Sequence, residues 1–357
     1  MTIRVLHLVG SAVSEFYADL SLLYARGAFT ATADVDKYRF EIAYVSPDGR
    51  WRFPADLSPE ALEASAPMSL AEAIAKILVL KVEVMIPQMF CLPGMTSYRA
   101  LFDVIGIPFV GNAPDVMALG AHKGRAKAVV AAAGVAVPAG RVVSPGVAVD
   151  AAMPAIVKPA DADNSLGLTL VREERDLDAA LAEAFVHSPQ AIVEAYIELG
   201  REVRCGIIER DGELLGLPLE EYRVDPVGKP IRPHDDKIRR GDKGDLALVA
   251  KDVDHAWIVD VDDPITAVVW EAARRCHIAL GCRDYSLFDF RIDPEGRPWF
   301  LEASLYNSFA PSSVLAMMAA AAGISLESLF ADCVQRALTR LPDRTQIESP
   351  LVQDVSA

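Results

Sequence analysis

Apolar residues recur along the first hundred positions in two alternating rhythms. Short continuous runs at residues 3–9, 40–45, 82–87 and 108–110 read as buried strands. Three-to-four-residue spacing at 14–26, Leu70–Leu80 and 98–105 reads as helices, with Gly27 and Gly106 closing the first and last. This alternation predicts an open parallel sheet with helices on both faces, which places ligands at the carboxyl ends of its strands.

A helix is expected over 121–134, and then strands outnumber helices. Strands are expected at Ala155–Pro159, 167–171, 191–197, 202–209 and 213–218, with a helix at Leu177–His187. Residues 225–263 are rich in Pro, Gly, Asp and Lys and read as a long binding loop or lid. A helix at Pro264–Leu280, a hairpin of strands 286–292 and 298–303 around Pro294-Glu295-Gly296, and two helices within 312–341 complete the pattern. The expectation is an α/β domain at 1–119, two α+β units at 120–204 and 205–342, and a flexible tail at 343–357.

A chain of 357 residues with 52% hydrophobic and 24% charged residues has enough apolar material for such cores. Its net charge of −15 argues against nucleic acid, which demands a positive surface, but leaves a nucleotide open. The five cysteines are scattered without a CxxC pair, so neither a zinc site nor a disulfide framework is expected. No apolar run approaches the ~18 residues of a membrane span. A reduced, cytoplasmic protein with no membrane partner is the expectation.

Three segments carry candidate chemistry. In the hairpin, alternation puts Asp289 and Arg291 on one face and Phe288 and Phe290 on the other, and Glu302 can come opposite. Carboxylates converging among apolar neighbours fit a magnesium site, or equally an Asp–Arg–Glu salt-bridge ladder. Lys158 ends an apolar strand and leads into the small polar run from Asp161 to Gly167, an arrangement suited to phosphate or to a lysine reaching water. Glu194 ends the next strand and Glu202 begins the one after, where carboxylates can read an amino group and ribose hydroxyls or stand solvated.

In this order the segments resemble the ATP-grasp ligases, and most closely the D-alanine–D-alanine ligase branch, over nearly the whole chain. Gly106-Ile107-Pro108-Phe109-Val110-Gly111 resembles that branch's GIPYVG, Ala121-His122-Lys123 its MDK, and residues 133–138 its AGLPVP. The resemblance implies a three-domain ATP-grasp fold, α/β and α+β, with the nucleotide between central and C-terminal domains. It implies ATP and Mg2+ (or Mn2+) as cofactors, a small-molecule acid and an amino acid as substrates, and a homodimer, common in that branch. Lys123 and Lys158 would bind phosphates, Asn164, Ser165 and Gly167 would form the closing loop, and Glu194 and Glu202 would mark adenine and ribose. Lys237 would reach the phosphates from the long loop, and Asp289, Glu302 and Ser304 would hold the metal.

The departures lie in the substrate pockets. Ser304 stands for the family's asparagine, and Leu287 for its oxyanion arginine, for which Arg291 is the expected replacement. The PGM and HGxxGEDG segments are gone, with residues 88–96 in place of the second; Glu15, Ser312 and Ser313 are the remaining candidate substrate contacts. Several stretches, among them residues 7–14 and 285–303, resemble the ligases of mycosporine biosynthesis, which join serine or threonine to a phosphorylated oxo-carbon. Three functions therefore stand: a mycosporine-type ligase, a D-alanine–D-alanine ligase, and a nucleotide-binding protein without catalysis.

Overall fold

The computed structural model describes residues 2–162, 166–225, 231, 238–240, 246–248 and 255–340. Four sheets organise it. The first, order β3-β2-β1-β4, comprises β1 (Ile3–Gly10), β2 (Tyr38–Val45), β3 (Trp51–Arg52) and β4 (Val84–Pro87). β2 and β4 flank β1 in parallel, as alternation with helices requires, and β3 adds an antiparallel edge. The expected strand at 108–110 is only a parallel bridge from Phe109 to Met85.

The second sheet, order β5-β8-β6-β7, is antiparallel and contains β5 (Gly140–Val143), β6 (Ala155–Pro159), β7 (Thr169–Val171) and β8 (Ala191–Ala195). Helix Leu177–His187 covers one face, burying Leu177, Ala180, Leu181 and Ala184 against Val157 and Val193. β5 has three exposed residues and no apolar run, so its sequence gives no strand signal.

The third sheet contains β9 (Arg201–Arg210), β10 (Glu213–Gly216), β11 (Glu220–Tyr222), β14 (Ala256–Ile258), β15 (Tyr285–Ile292) and β16 (Pro298–Ser304). Its order is β14-β11-β9-β15-β16, with β10 turned back onto β9. The short pair β12 (Ile238–Arg240) and β13 (Leu246–Leu248) stands apart as a fourth sheet. Thus three short strands lie within the stretch expected to be a loop.

The helix expected over 121–134 is present at Lys123–Ala132, and a helix that was not expected, Pro114–Ala121, precedes it; between them His122 caps the second helix, its ring accepting from Arg125 N–H at 3.3 Å. Ala126 and Val130 pack beneath the third sheet with Phe288, Phe300 and Val269, so this helix shares the C-terminal core. The divisions expected at 119/120 and 204/205 therefore fall inside a helix and inside β9. Among the described residues no single helix is long and apolar enough to cross a membrane.

Candidate functional site

The second and third sheets face each other across a cleft lined by Lys123, Lys158, Glu194, Glu202, Arg204, Asp289, Arg291 and Glu302, with Ile156, Leu168, Ile197 and Leu301 as apolar walls. Register explains the convergence. Asp289 lies opposite Glu302 on one side and Arg204 on the other; Arg291 lies opposite Glu202, and Leu287 opposite Gly206 and Ser304. Because side chains alternate along a strand, this one sheet face carries the charged groups, while Phe288 and Phe290 are fully buried behind it.

At the inner end, Glu194 is buried between two lysines, with Lys158 Nζ 2.8 Å from Oε1 and Lys127 Nζ 3.0 Å from Oε2. Burial alone would raise the Glu194 carboxyl, but the two lysines outweigh it and hold it below the ordinary value. Burial, reinforced by Lys158, pulls Lys127 down to about 8 against the opposing pull of Glu194. Lys127 also donates to the Phe300 carbonyl at 3.2 Å, an interior tie between helix and hairpin. Lys158 is the cation of this group that reaches the cleft.

Lys123, the first residue of its helix, donates to the Ala162 carbonyl at the start of the small polar run and stands 3.6 Å from Glu302. Gly167 has φ +64°, and a Cβ there would meet His187 at 2.9 Å and Pro159 at 3.0 Å, so the position requires glycine. Asn164, Ser165 and Lys237 lie outside the described residues.

Asp289 and Glu302 face each other across β15 and β16, with Ser304 two residues further along. Two carboxylates and a hydroxyl on one hairpin face fit a hard dication that keeps positions for phosphate oxygens and water. Among the described residues no three His, Cys, Asp or Glu side chains converge to hold a metal alone. The donor set thus suits a metal shared with a phosphate.

Arg291, expected as the oxyanion replacement, is engaged elsewhere. It donates to Glu202 at 2.7 Å and to the Ile197 carbonyl at 3.2 Å, and its guanidinium lies 5.4 Å from the Tyr196 ring centroid. Cross-strand pairing with Glu202 brings it to the 195–197 segment. The guanidinium on Asp289 belongs to Arg204, at 2.5 and 3.3 Å, a residue not singled out in the sequence. Its alternation with Glu202 along Glu202-Val203-Arg204 was the available signal.

A second cleft opens on the other side of Glu302, lined by Met95, Met117, Lys123, Ser304, Leu305 and Tyr306. Beside it Tyr306, Phe90 and Tyr24 form an aromatic chain, with centroids 5.6 and 5.5 Å apart. Glu15 is exposed in the first turn of its helix and lines neither cleft. Ser312 is exposed, whereas Ser313 is buried and donates to the Ser308 carbonyl at 2.6 Å.

The family profile for the D-ala D-ala ligase C-terminus matches residues 143–335, which include the cleft's lining except Lys123 and Pro138. The chain belongs to the D-alanine–D-alanine ligase family. It is 32% identical over 248 residues to the D-alanine–D-alanine ligase of Gloeobacter violaceus, covering 67% of this chain and 76% of that one. The enzyme of that name from Mycolicibacterium smegmatis is 28% identical over 346 residues, 86% of this chain and 89% of the other. In fold the chain resembles the VanG D-Ala:D-Ser ligase of Enterococcus faecalis, with a TM-score of 0.76 at 22% identity, covering 94% and 100% of the two chains. The ATP-complexed D-alanine–D-alanine ligase of Bacillus anthracis gives 0.69 at 17% identity, covering 95% and 98%. As a member of this D-alanine–D-alanine ligase family, the protein is an ATP-dependent carbon–nitrogen ligase with the ATP-grasp fold, as the sequence resemblance implied.

Proposed function

We propose that this ligase phosphorylates the oxo group of a cyclohexenone acceptor, a mycosporine-glycine core, using ATP and magnesium, and displaces the phosphate with an amino acid such as serine or threonine. The observation that carries the choice of acceptor is Tyr306, which lines the second cleft and is backed by Phe90 and Tyr24. Flat aromatic faces suit a planar ring. None of the candidate substrate contacts lines either cleft: Glu15 and Ser312 are exposed, and Ser313 is buried and donates to the Ser308 carbonyl.

The roles follow the cleft. Lys123 and Lys158 neutralise phosphate oxygens at its inner end, with Gly167 and its neighbours closing over them. Glu194 fixes Lys158, and Glu202, held by Arg291, faces the ribose hydroxyls. Asp289, Glu302 and Ser304 would hold magnesium, which when bound screens the charge on the phosphates. The acceptor oxygen forms a bond to the γ-phosphorus as the bond to the bridging oxygen breaks, its electron pair leaving on ADP. The amine then adds to the activated carbon, loses a proton, and inorganic phosphate departs with the carbon–oxygen bond. The walls of the two clefts orient both partners and exclude water.

A second reading, dipeptide synthesis from D-alanine, is supported by the names of the relatives. ADP release measured with ATP, Mg2+ and a panel of acceptors and amines separates the two. The proposal expects ADP only when the cyclic enone acceptor is present, increased by serine or threonine. ADP formed with D-alanine alone would overturn it, and no ADP with any pair would return the protein to nucleotide binding without catalysis.

A further inference from the structure

The family's oxyanion arginine is missing at position 287 because that position has become core. Leu287 is buried in one apolar cluster with Leu217, Leu315 and Met318. Even a Cβ on its cross-strand neighbour Gly206 would come within 2.9 Å of Leu315 and 3.1 Å of Leu217. A guanidinium at 287 would sit in hydrocarbon at a large desolvation cost.

One strand over, Arg204 occupies the same sheet face. Its side chain is only 14% exposed yet lines the cleft. Three contacts define its position: Nε and Nη2 on the two oxygens of Asp289, the guanidinium 5.3 Å from the Tyr222 ring centroid, and Nη1 4.0 Å from Glu220, too far for a hydrogen bond. Arg204 therefore stands on the hairpin carboxylate and faces the cleft.

We propose that Arg204 is the arginine that stabilises the transferring phosphoryl group and the phosphorylated acceptor, replacing the charge lost at Leu287 by migration to the adjacent strand. A planar, permanently charged fork already anchored on Asp289 and Tyr222 is preorganised, so its charge is available in the transition state without further ordering. The inference rests on the ATP-dependent phosphoryl transfer of the family and is independent of which acceptor is used.

The test compares wild type with Arg204→Met and Arg204→Lys by calorimetry and by isotope exchange. Binding of Mg·ATP is measured beside binding of Mg·ADP with aluminium fluoride, which mimics the transferring group. Arg204→Met is expected to weaken the mimic by about 100-fold or more while changing Mg·ATP affinity less than about threefold, the signature of a donor used in the transition state. Arg204→Lys, which keeps the charge but not the fork, is expected between the two. Exchange of bridging and non-bridging oxygen-18 in ATP, followed with acceptor and no amine, should collapse in Arg204→Met. Equal weakening of Mg·ATP and of the mimic, or recovery of exchange at high Mg2+, would make Arg204 only a holder of Asp289 and overturn the proposal. Intact Mg·ATP binding shows that the variant has folded. Absence of exchange in the wild type with the enone acceptor would count against the acceptor assignment, and the binding comparison would still decide Arg204.

Discussion

Asp284 and Asp289 lie five residues apart around the start of one strand, yet their surroundings are opposite. Asp284 is fully buried and receives four hydrogen bonds: Gly111 N–H at 2.7 Å, Arg336 Nε at 3.1 Å, and Arg340 Nη1 and Nη2 at 2.7 and 2.8 Å. It ties the segment leaving the first sheet to the third sheet and to the end of the last helix. Asp289 instead lines the cleft, with Arg204 on one side and Glu302 on the other. A carboxylate saturated by fixed donors is architecture. One whose partner is another cleft residue retains a face for a ligand.

The comparison breaks most visibly in stability. Asp284→Ala strands two arginines, and the cost of breaking a buried ion pair is about 3–5 kcal/mol, to be read from urea unfolding. The folded fraction should keep its Mg·ATP affinity. For Asp289→Asn the order reverses: turnover should fall at least about 100-fold, with stability changed by less than about 1 kcal/mol. A variant of either kind that showed the other's profile would collapse the distinction.

Acid sharpens it. Burial tends to raise the Asp284 carboxyl, but Arg340, with Gly111 and Arg336, overrides this and holds it below the usual value. Its contribution to stability is therefore complete above the ordinary carboxylate pKa of about 3.9 and is lost as pH falls through the lower folded value. Between about pH 4 and 2 the wild type should lose more stability per pH unit than Asp284→Asn, measured by urea midpoints across that range. Equal slopes would remove Asp284 from the acid response.

The smallest effect expected is that of Arg291→Ala. Because Arg291 holds Glu202 and the Ile197 carbonyl, its loss should raise the KM for ATP about three- to tenfold and leave kcat within about twofold. A fall in kcat at constant KM would assign it to the chemistry instead.

The sequence displayed features that depend on near neighbours. The period-two pattern of 286–292 and 298–303 put Asp289 opposite Glu302, and the structure has that pair in register. The apolar strand ending at Lys158 is likewise present as β6. What escaped depends on partners far along the chain. Arg204 reads locally as a strand charge, and only the pairing of β9 with β15, 85 residues apart, sets it on Asp289. Lys127 reads as a polar position in a helix, and only the approach of β8 makes it the second cation of Glu194. The helix at Pro114–Ala121 was not read from the sequence, although Pro114 stands in its first turn.

The most direct test of the central claim uses Mn2+ in place of Mg2+, followed by electron paramagnetic resonance during titration with ATP. Wild type and Asp284→Asn, per folded molecule, should bind Mn·ATP alike, whereas Asp289→Asn combined with Glu302→Gln should leave the Mn·ATP complex in solution. Equal binding by that double variant would contradict the assignment of the hairpin carboxylates as the metal site.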